Sequence, residues 1–264
     1  MYFSGRDAWG RAQIGWSDVD LRDPSSWGVS AAPAIGLGRL GSFDDNGVTS
    51  SCLVVHEDRQ YHYYTGWSLG VTVPFYLNAG LAISEDNGAT FRRASEAPLL
   101  DRSAVDPYLT ASPWVLIDNG VWRMWYVSAT GWVASVGRPI HRYHVKYAES
   151  RDGIAWTRRG VVCIDFKSAD EHAIGRPCVV RDADVYRMWF SHRGERYRIG
   201  YAESDDGIVW DRRDDESGID VSPDGWDSDM IEYPCVVDAF GRRLMLYNGN
   251  DYGRTGIGIA EWQE

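Results

Sequence analysis

The chain is 264 residues long, 44% hydrophobic and 25% charged, with a mean hydropathy of −0.37; these values exclude a disordered polymer and suit one all-β domain, residues 1–264. A formal net charge of −11 excludes the clustered Lys and Arg that gripping a phosphate backbone demands, so nucleic acid is not an expected partner. No apolar run reaches the ~20 residues of a membrane span, and Met1-Tyr2-Phe3-Ser4-Gly5 is not a basic, hydrophobic leader, so the expected location is cytoplasmic, with no membrane partner.

In chain order, Met1-Tyr2-Phe3-Ser4-Gly5-Arg6 and Ala12-Gln13-Ile14-Gly15-Trp16-Ser17 read as two strands of a first repeat that lacks its inner strand. From the repeat length, about forty further residues are expected upstream. The first complete repeat starts with the apolar run Ser50-Ser51-Cys52-Leu53-Val54. It continues with the aromatic strand Tyr61-His62-Tyr63-Tyr64 and a third strand, Gly80-Leu81-Ala82-Ile83-Ser84. The same order recurs from Ser112-Pro113-Trp114-Val115-Leu116 through Trp122-Arg123-Met124-Trp125-Tyr126 to Val145-Lys146-Tyr147-Ala148. It recurs again from Arg176-Pro177-Cys178-Val179-Val180 through Tyr186-Arg187-Met188-Trp189-Phe190 to Ile199-Gly200-Tyr201-Ala202. The last repeat runs from Tyr233-Pro234-Cys235-Val236-Val237 through Leu244-Met245-Leu246-Tyr247 to Gly256-Ile257-Gly258-Ile259-Ala260.

Aligning Ser51, Pro113, Pro177 and Pro234 spaces the repeats 62, 64 and 57 residues apart, the signature of a blade-like unit. Each initial run is short and apolar, with Ser or Pro at its start, as a strand buried on both faces requires. Three third strands close in the turns Ser84-Glu85-Asp86-Asn87-Gly88, Ser150-Arg151-Asp152-Gly153 and Ser204-Asp205-Asp206-Gly207. Asp there bonds backbone amides, Gly supplies positive φ and the following aromatic plugs the hairpin, so these acids read as structural. Four cysteines without a C-x-x-C spacing predict no metal site and no cofactor; Cys52, Cys178 and Cys235 occupy one repeated core position.

The blade pattern, the turns and the acids that precede the inner strands resemble the five-bladed propellers of glycoside hydrolase families 32, 43, 62, 68 and 130, and uncharacterised glycosidase-like members above all. The resemblance implies an all-β, five-bladed β-propeller whose first blade is incomplete. It also implies a glycosidic bond or an activated sugar as the object of its chemistry, with two carboxylates acting as acid and base. The partner expected is a small-molecule sugar, sugar phosphate or oligosaccharide; a noncatalytic sugar-binding propeller, a phosphorylase and a transferase are the alternatives. The Trp-x-Asn-Asp-Pro-Asn motif of such hydrolases is absent from the chain.

A propeller site lies where the inner strands begin. Seven positions before the aligned residues stand Asp44, Asp106, Asp170 and Asp227, with Asp45, Glu171, His172, Arg176, Asp229, Glu232 and Tyr233 close in sequence. The resemblance implies Glu171 as general acid, with Glu232-Tyr233-Pro234 as a competing match to the family-43 Glu-x-Pro arrangement. It implies Asp106 as the orienting carboxylate and Asp44 or Asp45 as base. Arg6, Arg176, His192 and Arg193 are candidates for a cationic patch that binds phosphate or carboxylate. Trp67 and Trp132 are candidate stacking platforms, and Asn248, Asn250 and Tyr252 candidate partners for sugar hydroxyls.

Overall fold

A computed structural model describes residues 1–23 and 28–263. The strands are β1 (Tyr2–Arg6), β2 (Ala12–Trp16), β3 (Gly47–His56), β4 (Arg59–Leu69), β5 (Phe75–Ser84), β6 (Arg92–Arg93), β7 (Thr110–Asp118), β8 (Val121–Val133) and β9 (Ile140–Ser150). They continue as β10 (Trp156–Ile164), β11 (Ala173–Asp182), β12 (Val185–Arg193), β13 (Tyr197–Ser204), β14 (Asp211–Arg212), β15 (Glu232–Ala239), β16 (Arg242–Asn248) and β17 (Ile257–Glu261). Among the described residues, helix is confined to single turns at Asp214–Glu216 and Asn250–Gly253. The strands follow the sequence repeat in five successive groups. β4, β5 and β9 are longer than the apolar pattern predicts because their ends nearest the inner-strand starts are polar or mixed, as in Ile140-His141-Arg142-Tyr143-His144.

The chain divides into two compact units. The first comprises Met1–Met124, Trp132–Ile140 and Glu149–Thr157; here β1 to β6 form one sheet in chain order, with β2 and β3 parallel through Ala12↔Gly47 and the other pairs antiparallel. Its core joins Ile14, Ile35, Val48, Tyr64 and Ala82, with Tyr2, Phe43 and Phe91 packed against them. Each fully buried large side chain of this kind contributes about 1.5–3 kcal/mol. The second comprises Trp125–Gly131, His141–Ala148 and Arg158–Glu264; β11 to β14 are antiparallel, β9 meets β11 in parallel through Tyr143↔Ala173, and β15 to β17 form a third antiparallel sheet.

Contacts between successive repeats recur at equivalent residues inside each unit, which is how one short motif builds a stack. In the first unit the Cys52 sulfur meets the backbone of Val115 (Sγ to N 3.4 Å), and in the second Cys178 does the same to Val236 (3.1 Å). The Tyr63 hydroxyl donates to the Gly153 carbonyl (2.9 Å), as the Trp125 indole donates to that of Gly207 (2.8 Å). The turn acids do what their residue type dictates. Asp152 accepts the amides of Ile154 and Ala155, Asp206 those of Ile208 and Val209, and Asp86 that of Thr90.

Three inner strands, β3, β11 and β15, carry a bulge, between Ser50 and Cys52, Gly175 and Cys178, and Glu232 and Cys235. Pro177 and Pro234 have no N–H to give the ladder, so the chain skips a residue there. The residues just before them, Arg176 (φ 52°) and Tyr233 (φ 58°), take left-handed backbone that costs about 1–2 kcal/mol each. The Tyr233 amide is compensated by Ser191 Oγ at 2.8 Å, as Ser112 is by Thr65 Oγ1 at 2.8 Å in the first unit. Such strain re-aims the Arg176 and Tyr233 side chains, and it concentrates where function does.

Candidate active site

Six of the candidate site residues lie in the first unit: Arg6, Asp44, Asp45, Trp67, Asp106 and Trp132. Asp44 is fully buried; Oδ1 accepts from the Ser42 hydroxyl (2.8 Å), and Oδ2 accepts from the Tyr64 hydroxyl (3.0 Å) and Arg93 Nε (2.7 Å). The carboxylate thereby ties the loop before β3 to β4 and to β6. Asp45 accepts the Gly41 amide (3.0 Å), and the buried Asp106 exchanges backbone hydrogen bonds with Ser103. Trp67 packs edge-on against Gly47, with the Arg6 guanidinium 5.2 Å from its ring, and Trp132 meets Phe75 edge to face at 5.3 Å. In the second unit Asp227 repeats the Asp44 arrangement, accepting the Tyr247 hydroxyl at 2.9 Å, whereas Asp170 is exposed and has Phe190 at the position of that tyrosine.

Glu171 is buried and saturated. Arg212 donates to both its oxygens (2.6 and 2.9 Å), His192 Nδ1 lies 2.9 Å from Oε1, and the Lys167 amide donates to Oε2 (2.7 Å). Burial alone raises a carboxyl, yet here the Arg212 fork, His192 and the amide outweigh it and hold Glu171 far below the ordinary carboxylate range. A group so held is an anion at neutral pH, an anchor for Arg212 rather than a store of protons.

Glu232 is the opposite case. It opens β15 with no exposed surface, and among the described residues neither carboxyl oxygen has a hydrogen-bond partner. Burial pushes its pKa up to about 8, with Arg176 and Arg193 pulling only partly the other way. The equivalent position in the other inner strands is Thr49, Ala111 or Gly175, so the carboxyl is peculiar to the last repeat.

The surroundings of Glu232 follow from strand register. Tyr143 on β9 stands opposite Ala173 on β11, Ala173 opposite Arg193 on β12, and Arg193 opposite Tyr197 on β13. Neighbours in such a row share one face of the sheet, and the small Ala173 lets the hydroxyls of Tyr143 and Tyr197 meet at 2.9 Å. The Arg193 guanidinium lies 5.2 Å from the Tyr197 ring and donates to the Tyr252 hydroxyl (3.1 Å), and Arg176 lies 4.7 Å from the Tyr233 ring. The Tyr197, Tyr233 and Tyr252 rings lie 6.0 to 6.5 Å apart, the spacing of edge and tilted aromatic contacts. Burial raises the phenols of Tyr143, Tyr197 and Tyr233, with the Glu232 charge adding to the shift, so they stay neutral donors.

His141 stacks on Tyr143 (4.7 Å), and burial with His172 and Arg193 nearby lowers its pKa to about 4. His172 is also lowered, chiefly by burial. The remaining candidates support this cluster from behind. Asn248 pairs with Glu232 in the β15–β16 ladder, Asn250 Oδ1 accepts the amides of Asp229 and Met230 (2.8 and 3.0 Å), and the Asp229 carboxylate pairs with Arg196 (3.2 Å).

The structure thus gathers Arg176, Arg193, Glu232 and Tyr233, all singled out in the sequence, and keeps Glu171 in a separate network with Arg212. Tyr143 and Tyr197 were missed by the sequence reading. Third strands run parallel to inner strands, so the first residues of β9 and β13 lie at the same end as the start of β11, and an aromatic there is the signal that marks them.

No family model matches the chain. It is 49% identical over 261 residues to the Mycobacterium tuberculosis (strain CDC 1551 / Oshkosh) protein named Uncharacterized protein MT1551, covering 98% of this chain and 86% of that protein. The chain belongs to that protein's family. Its fold matches a thermostable family-43 glycoside hydrolase (TM-score 0.73, 16% identity, 96% of this chain and 83% of that one). It also matches an endo-arabinase from Bacteroides thetaiotaomicron (0.68, 13%, 100% and 93%). A third match is a β-1,2-mannobiose phosphorylase from Listeria innocua (0.68, 13%, 95% and 66%). The fold of this chain is therefore that of the glycosidase-like β-propellers. None of its helices is long and apolar enough to cross a membrane, among the described residues.

Proposed function

We propose that the chain is a carbohydrate-active enzyme that acts on a glycosidic bond or an activated sugar, with Glu232 as the proton donor to the leaving oxygen. On this reading the five strand groups are the blades of one propeller domain, residues 1–264, working in the cytoplasm. The observation that carries it is a wholly buried carboxyl with no hydrogen-bond partner among the described residues, set among tyrosines and held protonated at neutral pH. General acid catalysis at a glycosidic oxygen needs such a group, and burial is the usual means of supplying it. Of the two glutamates matched to the family acid, Glu171 is held ionised and serves to anchor Arg212. Asp44 and Asp227 tie the loops before their inner strands to Tyr64 and Tyr247.

The test is product release from a panel of aryl glycosides, with and without phosphate, by the full chain and by Glu232→Gln. The expected result is turnover that falls at least ~100-fold in the variant, with ligand affinity held within a few-fold. Equal turnover in both proteins would refute the assignment of Glu232. A second reading, sugar binding without chemistry, is favoured by the ring cluster of Tyr197, Tyr233 and Tyr252, which suits stacking on sugar C–H faces. It predicts stabilisation by sugars with no product at any pH.

A further inference from the structure

Two polar groups of the second unit lie near each other and do not meet. Arg193 as a whole is half-buried, but its Nε is shielded from water and has no hydrogen-bond partner among the described residues. Both oxygens of Glu232 are in the same state. Burial raises the Glu232 carboxyl, and Arg176 and Arg193 are near enough for their charges to pull it part of the way back. The backbone keeps Arg193 close, because the Tyr233 amide, next to Glu232, donates to the hydroxyl of Ser191, two residues before Arg193. A buried donor or acceptor left unpaired costs about 1–3 kcal/mol, and a guanidinium turned onto a carboxylate would satisfy both groups at once.

Tyr197 and Tyr252 hold the guanidinium where it is. It lies 5.2 Å from the Tyr197 ring, and its Nη1 donates to the Tyr252 hydroxyl at 3.1 Å. Tyr252 is 54% exposed, so it is not apolar burial that places it. Its backbone does: Asp251 (φ 56°) and Tyr252 (φ 62°) are successive left-handed residues, at about 1–2 kcal/mol each. Asn248 Nδ2 donates to the Tyr252 carbonyl (3.3 Å), and the Thr255 hydroxyl donates to that of Asn250 (3.0 Å), which keeps the turn in this shape. Backbone strain fixed by a few hydrogen bonds is typical of switch and clamp segments.

We infer that Tyr252 is a positioning residue that latches the Arg193 guanidinium away from Glu232, so that the carboxyl keeps its proton for transfer. With the latch made, the acid is neutral; with it released, Arg193 turns onto Glu232 and the carboxyl ionises. This rests on the reading of Glu232 as the proton donor and supplies the reason a nearby cation does not discharge the acid. The other groups around Glu232 are untouched by the latch. Arg176 on β11 acts from over the Tyr233 ring, and Tyr143 on β9, Tyr197 on β13 and Tyr233 on β15 are phenols that burial keeps neutral. His141 and His172, near Arg193, are lowered by burial and uncharged at pH 7.

The experiment is a carbon-13 NMR titration of the Glu232 carboxyl in the glutamate-labelled full chain, as wild type, Tyr252→Phe, Arg193→Gln and the double variant. The wild-type midpoint is expected near 8. In Tyr252→Phe it should fall by roughly one to three pH units, the effect of an opposite charge brought into ion-pair reach. In Arg193→Gln it should not fall below the wild type, and the double variant should match Arg193→Gln, because Tyr252 acts only through Arg193. A Tyr252→Phe midpoint equal to the wild type's, or one that falls as far when Arg193 is also replaced, would overturn the latch. Turnover of aryl glycosides by the wild type is followed in parallel. A midpoint that drops in Tyr252→Phe, in a chain that releases no product, would sink the catalytic reading and leave the latch standing. Product release with an unmoved midpoint would do the reverse, and a wild-type midpoint near 4.5 would sink both.

Discussion

Replacing Glu232 with Gln removes a titrating group while keeping its shape, and so isolates what its protonation does to stability. In the folded chain the carboxyl holds its proton up to about 8; in the unfolded chain it releases it near the ordinary 4.5. Between those values the folded state binds more protons than the unfolded state, so wild-type stability falls as pH rises through that window. The slope is ~1.4 kcal/mol per pH unit, which over the interval amounts to ~5 kcal/mol as an upper figure. The Gln variant lacks this term. Urea unfolding at pH 5, 6, 7 and 8 is the assay, with both proteins sharing every other titrating group. At pH 5 the two should differ by no more than ~1–2 kcal/mol, the cost of rearranging a buried amide. By pH 8 the variant should have gained ~3–5 kcal/mol on the wild type. Parallel pH curves would show that Glu232 ionises normally in the fold and would refute the reasoning.

Glu171→Gln should behave in the opposite sense: at pH 7 it costs ~3 kcal/mol because the buried Arg212 loses one of its two carboxylate partners and keeps only Asp214, and the deficit shrinks as pH falls below 4.5, where the unfolded chain takes up a proton that the folded Glu171 does not. Thermal melts from pH 3 to pH 7 follow it. Tyr64→Phe and Tyr247→Phe each remove one hydroxyl from a buried Asp in equivalent positions, so both should cost ~1–2 kcal/mol in chemical denaturation; a large inequality would break the equivalence of the repeats. Gly47→Ala puts a methyl group 1.7 Å from the Trp67 indole nitrogen, and the ring must move, at ~1–3 kcal/mol measured by thermal melting.

The repeat was legible because it is written in strongly local chemistry. Ser-x-Asp-Gly turns, Pro at the inner-strand start and an aromatic at each second-strand centre recur with the same partners, and Cys52 and Cys178 each meet the next repeat's valine. Strand ends were less legible. The first residues of β9 run Ile, His, Arg, Tyr and His, and pairing with β8 and β11 makes them strand. At the site, sequence spacing brought out both Glu171 and Glu232 but had no means of ranking them. The rank depends on Arg212, forty-one residues downstream of Glu171, and on the lack of a donor to Glu232 among the described residues, which is a property of packing. Tyr143 and Tyr197 escaped for the same reason: their meeting across Ala173 is a matter of register over four strands.

The measurement closest to the central claim is a carbon-13 NMR titration of the side-chain carboxyls in glutamate-labelled protein, wild type against Glu232→Gln. One resonance, absent from the variant, should titrate near 8. A Glu232 resonance that titrates with the ordinary carboxylates, near 4.5, would leave the chain without a proton donor at this site and contradict the account.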